Sequence, residues 1–241
     1  LIVTPPRVYY ERSKERKVRV AGLETVSSVI ERETVDPSSS NVTIDLSLDR
    51  KRVGNLWFPV FLAAYQGQYT YDIEAIPEAF RSGPLLLVPG LNSSESIFRG
   101  IELKINDVAV EPLAKLISNA AIDLHPTQYV DGKLVVAFRY ETTGTNHLLY
   151  LLSNPDQRRN SGEGVGQANA VGQERLTRVD DFSLEVTTNF FKYTFPERTI
   201  PYTTLRQDKG RSTFEWRFDQ AVTGKNIGLV IPAELNPGNI A

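Results

Sequence analysis

The amino-acid sequence predicts an all-β fold, mainly antiparallel, organised as a β-sandwich with a short helix and an N-terminal arm. Two observations support this prediction. Several segments alternate apolar and polar residues with the period of a half-buried strand, and turn-forming Gly, Pro or Asn residues recur about every 8 to 12 residues, as in sandwiches and barrels. The 241 residues are enough for one large β domain or two small ones, with a core that needs no disulfide.

The clearest predicted strand is "FEWRFD", in which Phe214, Trp216 and Phe218 share one face and charged residues occupy the other. The segments "DFSLEVTTNF" (181–190) and "KLVVAFRYETTG" (133–144) repeat this alternation. Three such strands imply a sheet with one solvated face.

Further strands are predicted in segments bounded by Gly, Pro or Asn, namely "NVTIDLSLDR", "VFLAAYQGQYTYDI", "GPLLLVPG" and "NIGLVIP". The segment "GIELKINDVAVEPL" predicts a hairpin. Its turn falls at Asn106 and Asp107, because both residue types tolerate the left-handed backbone that a tight turn requires.

Helical spacing appears in two segments. "PLAKLISNAA" (112–121) spaces its apolar residues as one face of a helix and begins with a proline, so it predicts the short helix. "TVSSVIERETV" (25–35) fits a helix by its spacing and a strand by its β-branched content, and both interpretations stay open.

The domain organisation follows from two irregular segments. "DPSSSN", Asp36–Asn41, indicates a short linker, which divides an N-terminal arm (1–40) from the sandwich domain (41–232). "NPDQRRNSGEGVGQANAVGQERLTR", Asn154–Arg178, predicts a long exposed loop, because it is rich in Gly, Asn, Gln and charge and almost lacks apolar anchors. Such loops either carry function or are filler.

Composition and motifs indicate no catalytic class. The 27 basic and 29 acidic residues give a net charge of −2, which does not indicate a nucleic-acid partner, and the absence of cysteine excludes disulfides and thiol chemistry. His125 and His147 have no acidic or His partner at metal-ligand spacing, and Asp180 and Asp181 alternate between strand faces. Phosphate-binding and nucleophile-elbow motifs are absent. We therefore expect neither an enzyme nor a metal or cofactor.

Basic clusters are the candidate interaction residues. Arg50, Lys51 and Arg52 end a predicted strand, and Arg158 and Arg159 lie in the predicted loop. The first cluster would suit anionic lipid head groups, although strand-end charges are more often merely solvated. Trp57 and Trp216 would serve as sugar-stacking platforms if exposed, but their positions on alternating strands favour the core.

Several motifs resemble the extracytoplasmic domains of CreD-like bacterial inner-membrane proteins. The first covers Leu48–Tyr71, "LDRKRVGNLWFPVFLAAYQGQYTY", and the second "YETTGTNHLLYLL". Others are "DDFSLEVTTNF" with "FPERTIPYTT", and "FEWRFDQAVTGKNIGLVIPAELNPG". The matching residues are Arg50, Lys51, Gly54, Leu56, Trp57, Phe58, Pro59, Gly67, Tyr69, Thr70, Tyr140, Gly144, Tyr150, Trp216, Pro237 and Gly238.

The resemblance implies a periplasmic or external domain of a multi-pass inner-membrane protein. Its partners would be its own transmembrane helices, the lipid bilayer surface and another envelope protein. Residues 233–241 would then form the junction to a transmembrane helix, and we expect about 20 apolar residues beyond each end of the chain. The chain departs from the family at Asn239-Ile240-Ala241, and the basic run Arg12–Arg19 is unusual for an exported flank.

Two other functions fit a sandwich of this composition. A carbohydrate-binding or hydrolytic domain would need exposed aromatic rings or convergent carboxylates. A viral or surface assembly protein would self-assemble into closed particles.

Overall fold

The computed structural model describes residues 1–20, 23–53, 55–81, 83–91, 97–110, 120–125, 128–152, 177–190 and 192–231. Their strands are β1 (Ile2–Val3), β2 (Arg7–Val20), β3 (Leu23–Val35), β4 (Ser39–Val53), β5 (Leu56–Asp72), β6 (Leu85–Val88), β7 (Arg99–Ile105), β8 (Val108–Ala109), β9 (Ile122–Leu124), β10 (Lys133–Gly144), β11 (His147–Tyr150), β12 (Thr177–Val179), β13 (Phe182–Thr188), β14 (Thr204–Asp208), β15 (Arg211–Phe218), β16 (Ala221–Thr223) and β17 (Ile227–Val230). A 3₁₀ turn covers Ile73–Ala75, and helix α1 covers Glu78–Arg81. The predicted all-β, mainly antiparallel class is confirmed.

The largest sheet is built around the β4–β5 hairpin. Its strand order is β14-β15-β13-β4-β5-β10-β7-β8. Every neighbouring pair is antiparallel except β4 and β13, whose parallel register sets Val42 beside Leu184. Burial alternates along β10, β13 and β15, as their sequences predicted, so one face of this sheet is apolar and the other is solvated.

Three smaller sheets complete the described fold. They have the orders β3-β2-β6-β9, β1-β11-β17 and β12-β16. A single buried cluster contains residues of the three larger sheets, which therefore pack as a sandwich around a common core. Its members include Val42, Ile44, Val136, Phe214 and Trp216 of the largest sheet, Val8, Leu85 and Leu87 of the four-stranded sheet, and Val3, Leu148 and Leu229 of the three-stranded sheet.

The first 40 residues are tied closely to this core. They contain β1, β2 and β3, and Val3, Val8 and Tyr10 are buried. Ser39 already belongs to β4, so the predicted linker at Asp36–Asn41 is wrong beyond Ser38. The ambiguous segment 25–35 lies within β3, where pairing with β2 rather than helical spacing determines the structure.

The predicted hairpin turn at Asn106 and Asp107 is confirmed. It joins β7 to β8, and the two residues have φ angles of 46° and 65°. The Asn106 side chain also accepts a hydrogen bond from the Val135 amide at 2.8 Å and donates to the Gln128 carbonyl. The turn is thereby fixed to the adjacent strand β10.

Two predictions fall largely outside the described residues. The helix at 112–121 is described only at Ala120 and Ala121, which belong to no element, and the loop at 154–178 only at Thr177 and Arg178, in β12. The one-turn helix α1, which the sequence did not predict, follows Pro77. In the described part of the chain, no helix has both the length and the apolarity needed to cross a membrane.

Candidate functional site

The solvated face of the largest sheet carries an open hollow of about 500 Å³. Strands β4, β5, β10 and β13 contribute most of its lining. Its polar side chains are Thr43, Asp45, Gln66, Arg139, Glu141, Glu185 and Thr187. This set of amide, hydroxyl, guanidinium and carboxylate groups suits a polar ligand.

Ala64 explains why the sheet is hollow at this point. Asp45 on β4 and Glu141 on β10 are both in register with Ala64 on the strand between them. The methyl side chain of Ala64 therefore lies between the carboxylate side chains of Asp45 and Glu141. The backbones of these two residues are two strand spacings apart, about 10 Å. The small residue leaves space between them that a longer side chain would fill.

Ion pairs hold most of the charged side chains around the hollow. Asp45 is bound by Arg211 at 2.6 Å, Glu185 by Arg206 at 2.9 Å, and Arg139 by Glu102 at 2.6 Å. Glu141 forms no ion pair with any described residue and is exposed. It is therefore the carboxylate of the hollow that is available to an incoming cationic or hydrogen-bond-donating group.

The aromatic residues at the hollow do not offer rings to a ligand. Tyr65 and Tyr140 contribute to its lining, but both residues are buried, and their rings stack on each other with centroids 4.7 Å apart. Trp216 is fully buried and donates to the Ile200 carbonyl at 3.0 Å, so the core interpretation is correct for this residue. The Trp57 backbone lies in β5, and its side chain is outside the described part of the structure.

The side chains of the predicted basic residues lie outside the described part of the structure. Arg50, Lys51 and Arg52 lie in β4, in register with Pro59, Phe58 and Trp57, and their side chains are outside what is described. Arg158 and Arg159 lie wholly outside the described residues. Neither cluster is among the described residues that line the hollow.

The two histidines are separate and exposed. His125 follows β9, and His147 begins β11 beside a second hollow of about 470 Å³ that Glu197, Arg198 and Lys225 also line. Among the described residues, no group of three or more His, Cys, Asp or Glu side chains could hold a metal ion. Asp181 accepts from the Ser39 hydroxyl at 2.9 Å and Asp180 pairs with Arg178 at 2.8 Å, as expected for turn residues.

A buried chain of tyrosine hydroxyls lies beneath the hollow. Tyr69 is hydrogen-bonded to Tyr65 and, at 2.9 Å, to Tyr150. Burial raises the pKa of all three side chains well above the usual value. The hydroxyls therefore stay protonated and act as structural hydrogen-bonding groups.

The sequence contains a local signal for this cluster. In "YQGQYTY", tyrosines alternate with polar residues, and Gly67 lies between Tyr65 and Tyr69 on the core face. Three of the residues that carry the family resemblance, Tyr69, Tyr140 and Tyr150, lie in or against this cluster.

A scan against models of protein families found no match to the chain. A search among curated protein sequences likewise found no similar protein.

Proposed function

We propose that the chain is a non-enzymatic domain of a multi-pass envelope membrane protein, exposed to the periplasm or cell exterior, with a binding or structural role. The observation that carries the proposal is the position of β1 and β17. They flank β11, with β1 parallel and β17 antiparallel to it. The start of β1 and the end of β17 therefore lie at the same end of one small sheet.

Two hydrogen bonds define this end of the sheet. The Leu1 nitrogen donates to the His147 carbonyl at 2.7 Å, and the Ile231 amide donates to the neighbouring Asn146 carbonyl at 2.9 Å. Strands on either side of β11 are about 10 Å apart, which is also the distance between the axes of packed helices. Segments joined to β1 and β17 would thus have the spacing of two neighbouring transmembrane helices.

The resemblance to CreD-like proteins supports the same proposal. Its motif residues Gly67 and Gly144 lie where aromatic rings fill the space of a side chain, and its tyrosines build the buried cluster. These residues thus maintain a scaffold, which agrees with a binding or structural role.

Topology mapping tests the proposal. The chain has no cysteine, and Thr204 is exposed on the edge strand β14. In a parent protein with no other cysteine, we expect Thr204→Cys to react with a membrane-impermeant maleimide when the outer membrane has been permeabilised and the inner membrane is intact. Reaction only after lysis of the inner membrane, or polar sequence on both sides of the chain in the gene, would overturn the proposal.

The hollow favours a second candidate, a carbohydrate-binding or hydrolytic domain. Asp45 and Glu141 flank Ala64, and from backbones about 10 Å apart their carboxyl groups can reach the roughly 6.5–9.5 Å separation of inverting glycosidases. In that case Glu141→Gln should abolish hydrolysis of an oligosaccharide library, and Glu215→Gln, outside the hollow, should leave it unchanged. Equal, negligible hydrolysis by all three proteins would reject the catalytic candidate.

A further inference from the structure

Strand β3 forms an edge of the four-stranded sheet. It pairs with β2 without a bulge from Val8 opposite Val35 to Val20 opposite Leu23, and no described strand pairs with its other side. Natural edge strands are usually short or interrupted by Pro, Lys or a bulge. The edges formed by β14, β8 and β9 follow this rule with 5, 2 and 3 residues, whereas β3 has 13 and contains neither Pro nor Lys.

Two apolar residues of β3 are strongly exposed. The exposed fraction is 60% for Val26 and 66% for Ile30. Because alternate residues of a strand lie on the same face, Val26 and Ile30 share a face with Ser28 and Arg32. Across the hairpin, Arg32 pairs with Glu11 at 3.1 Å, and the Ser28 and Ser13 hydroxyls lie 2.7 Å apart. These contacts join this face to β2 and leave its apolar residues uncovered.

We propose that β3 pairs in antiparallel fashion with β3 of a second copy of the chain, about a two-fold axis at Ser28. In this register Val26 of each copy lies opposite Ile30 of the other. Glu24 of each copy lies opposite Arg32 of the other. The face of the strand that carries Val26 and Ile30 is therefore complementary to itself in both apolar and charged residues, and the backbone hydrogen-bonding groups of residues 23–33 that point away from β2 find partners.

The neighbouring register does not have this complementarity. When two antiparallel strands are related by a two-fold axis perpendicular to the sheet, the same face of each strand is matched. The axis must therefore pass beside a residue and cannot pass between two consecutive residues. With the axis at Val29, Val26 would lie opposite Arg32, and Ile30 opposite Ser28. On the face of Val26 and Ile30, both apolar side chains would then lie opposite polar ones, so this face favours the axis at Ser28.

Disulfide trapping tests the register, because the chain contains no cysteine. At the axis, the two copies of residue 28 have Cα atoms about 4.5–5.5 Å apart, which a disulfide can bridge. We expect Ser28→Cys to give roughly tenfold more oxidised dimer than Ser13→Cys, its hydrogen-bonded neighbour, whose copies lie too far apart. Val26→Cys should cross-link with Ile30→Cys in a mixture, and neither should do so alone.

A charge exchange tests the same pairing without cross-linking. Glu24→Arg alone and Arg32→Glu alone each oppose like charges at both ends of the interface, so sedimentation should show dimer dissociation constants raised by roughly tenfold. An equimolar mixture restores opposite charges at both ends and should dimerise as the unmodified chain does. Equal cross-linking at residues 13 and 28, or a mixture that fails to dimerise, would overturn the proposal.

Discussion

Two glycines on the core-facing side of the largest sheet, Gly67 and Gly144, leave space that aromatic rings occupy. A Cβ atom on Gly67 would lie 2.5 Å from the Tyr65 hydroxyl and 2.8 Å from Cε2 of Tyr69. A Cβ atom on Gly144 would collide with the ring of Phe61, the residue in register with it on β5. Each glycine thus has a packing role that no larger residue can take without displacing a buried ring.

Substitution of Gly144 measures this constraint. Because Phe61 is fully buried and its ring must shift to make room for a Cβ atom, we expect Gly144→Ala to lower the free energy of unfolding by about 1–3 kcal/mol. Gly83→Ala is the matched control, since its nearest neighbour would be the Phe80 carbonyl oxygen at an ordinary 3.4 Å. Urea denaturation of both variants checks the prediction, and equal stabilities would contradict it.

From the buried tyrosine hydroxyls we predict that the protein loses stability at alkaline pH. Burial raises the pKa of Tyr65, Tyr69 and Tyr150 in the folded protein, whereas in the unfolded chain it is about 10. The folded state therefore retains these protons more strongly. The titration of these groups should therefore leave the free energy of unfolding unchanged with pH below pH about 10. Above that value the free energy of unfolding should fall as the pH rises.

Tyr69→Phe isolates the contribution of the central hydroxyl. The variant leaves the hydroxyls of Tyr65 and Tyr150 without their shared partner, so we expect a loss of about 1–3 kcal/mol at pH 8 and a shallower decline above pH 10. Denaturant titrations across this pH range make the measurement. Tyr202→Phe, which alters an exposed side chain, should behave as the unmodified protein, and an identical slope for Tyr69→Phe would refute the account.

At the scale of single elements, the β7–β8 turn shows how one residue can serve two functions. Asn106 and Asp107 both adopt positive φ angles, but only the Asn106 side chain is hydrogen-bonded to Val135 and Gln128. Asn106→Ala should therefore lower the free energy of unfolding by about 2 kcal/mol, through backbone strain and an unpaired Val135 amide. Asp107→Gly should be neutral or slightly stabilising. Thermal denaturation of the pair checks this, and equal losses would show that backbone strain alone matters.

The strands were predictable because alternation is a local property of the sequence. "FEWRFD" and "KLVVAFRYETTG" show their buried faces directly, and "IND" shows its turn. The parallel pairing of β4 with β13 joins Ser40 to Phe182 across more than half the chain, and no local pattern encodes it. The hollow depends on that pairing and on the β5–β10 pairing, so Asp45, Glu141 and Glu185 could not be grouped from sequence.

At the scale of the whole molecule, the N-terminal residues determine how the sheets are joined. β1 pairs with β11, β2 pairs with β6, and the Tyr71 hydroxyl donates to the Pro6 carbonyl at 2.7 Å. The sequence placed a domain boundary at residue 40 because Asp36–Asn41 has the composition of a linker. Composition reports local chain preference, whereas these contacts depend on strands that are distant in sequence.

Removing residues 1–38 tests whether a separate domain begins after the arm. The truncation would expose the edge of β6 and the buried surface that Val3, Val8, Tyr10 and Val35 cover. Each fully buried aliphatic side chain contributes about 1.5–3 kcal/mol, so their combined loss is comparable with the entire stability of a typical domain. We therefore expect residues 39–241 to be rapidly degraded by protease and to lack a cooperative thermal transition. A fragment that unfolds cooperatively near the melting temperature of the full chain would instead establish an independent domain beginning near residue 41.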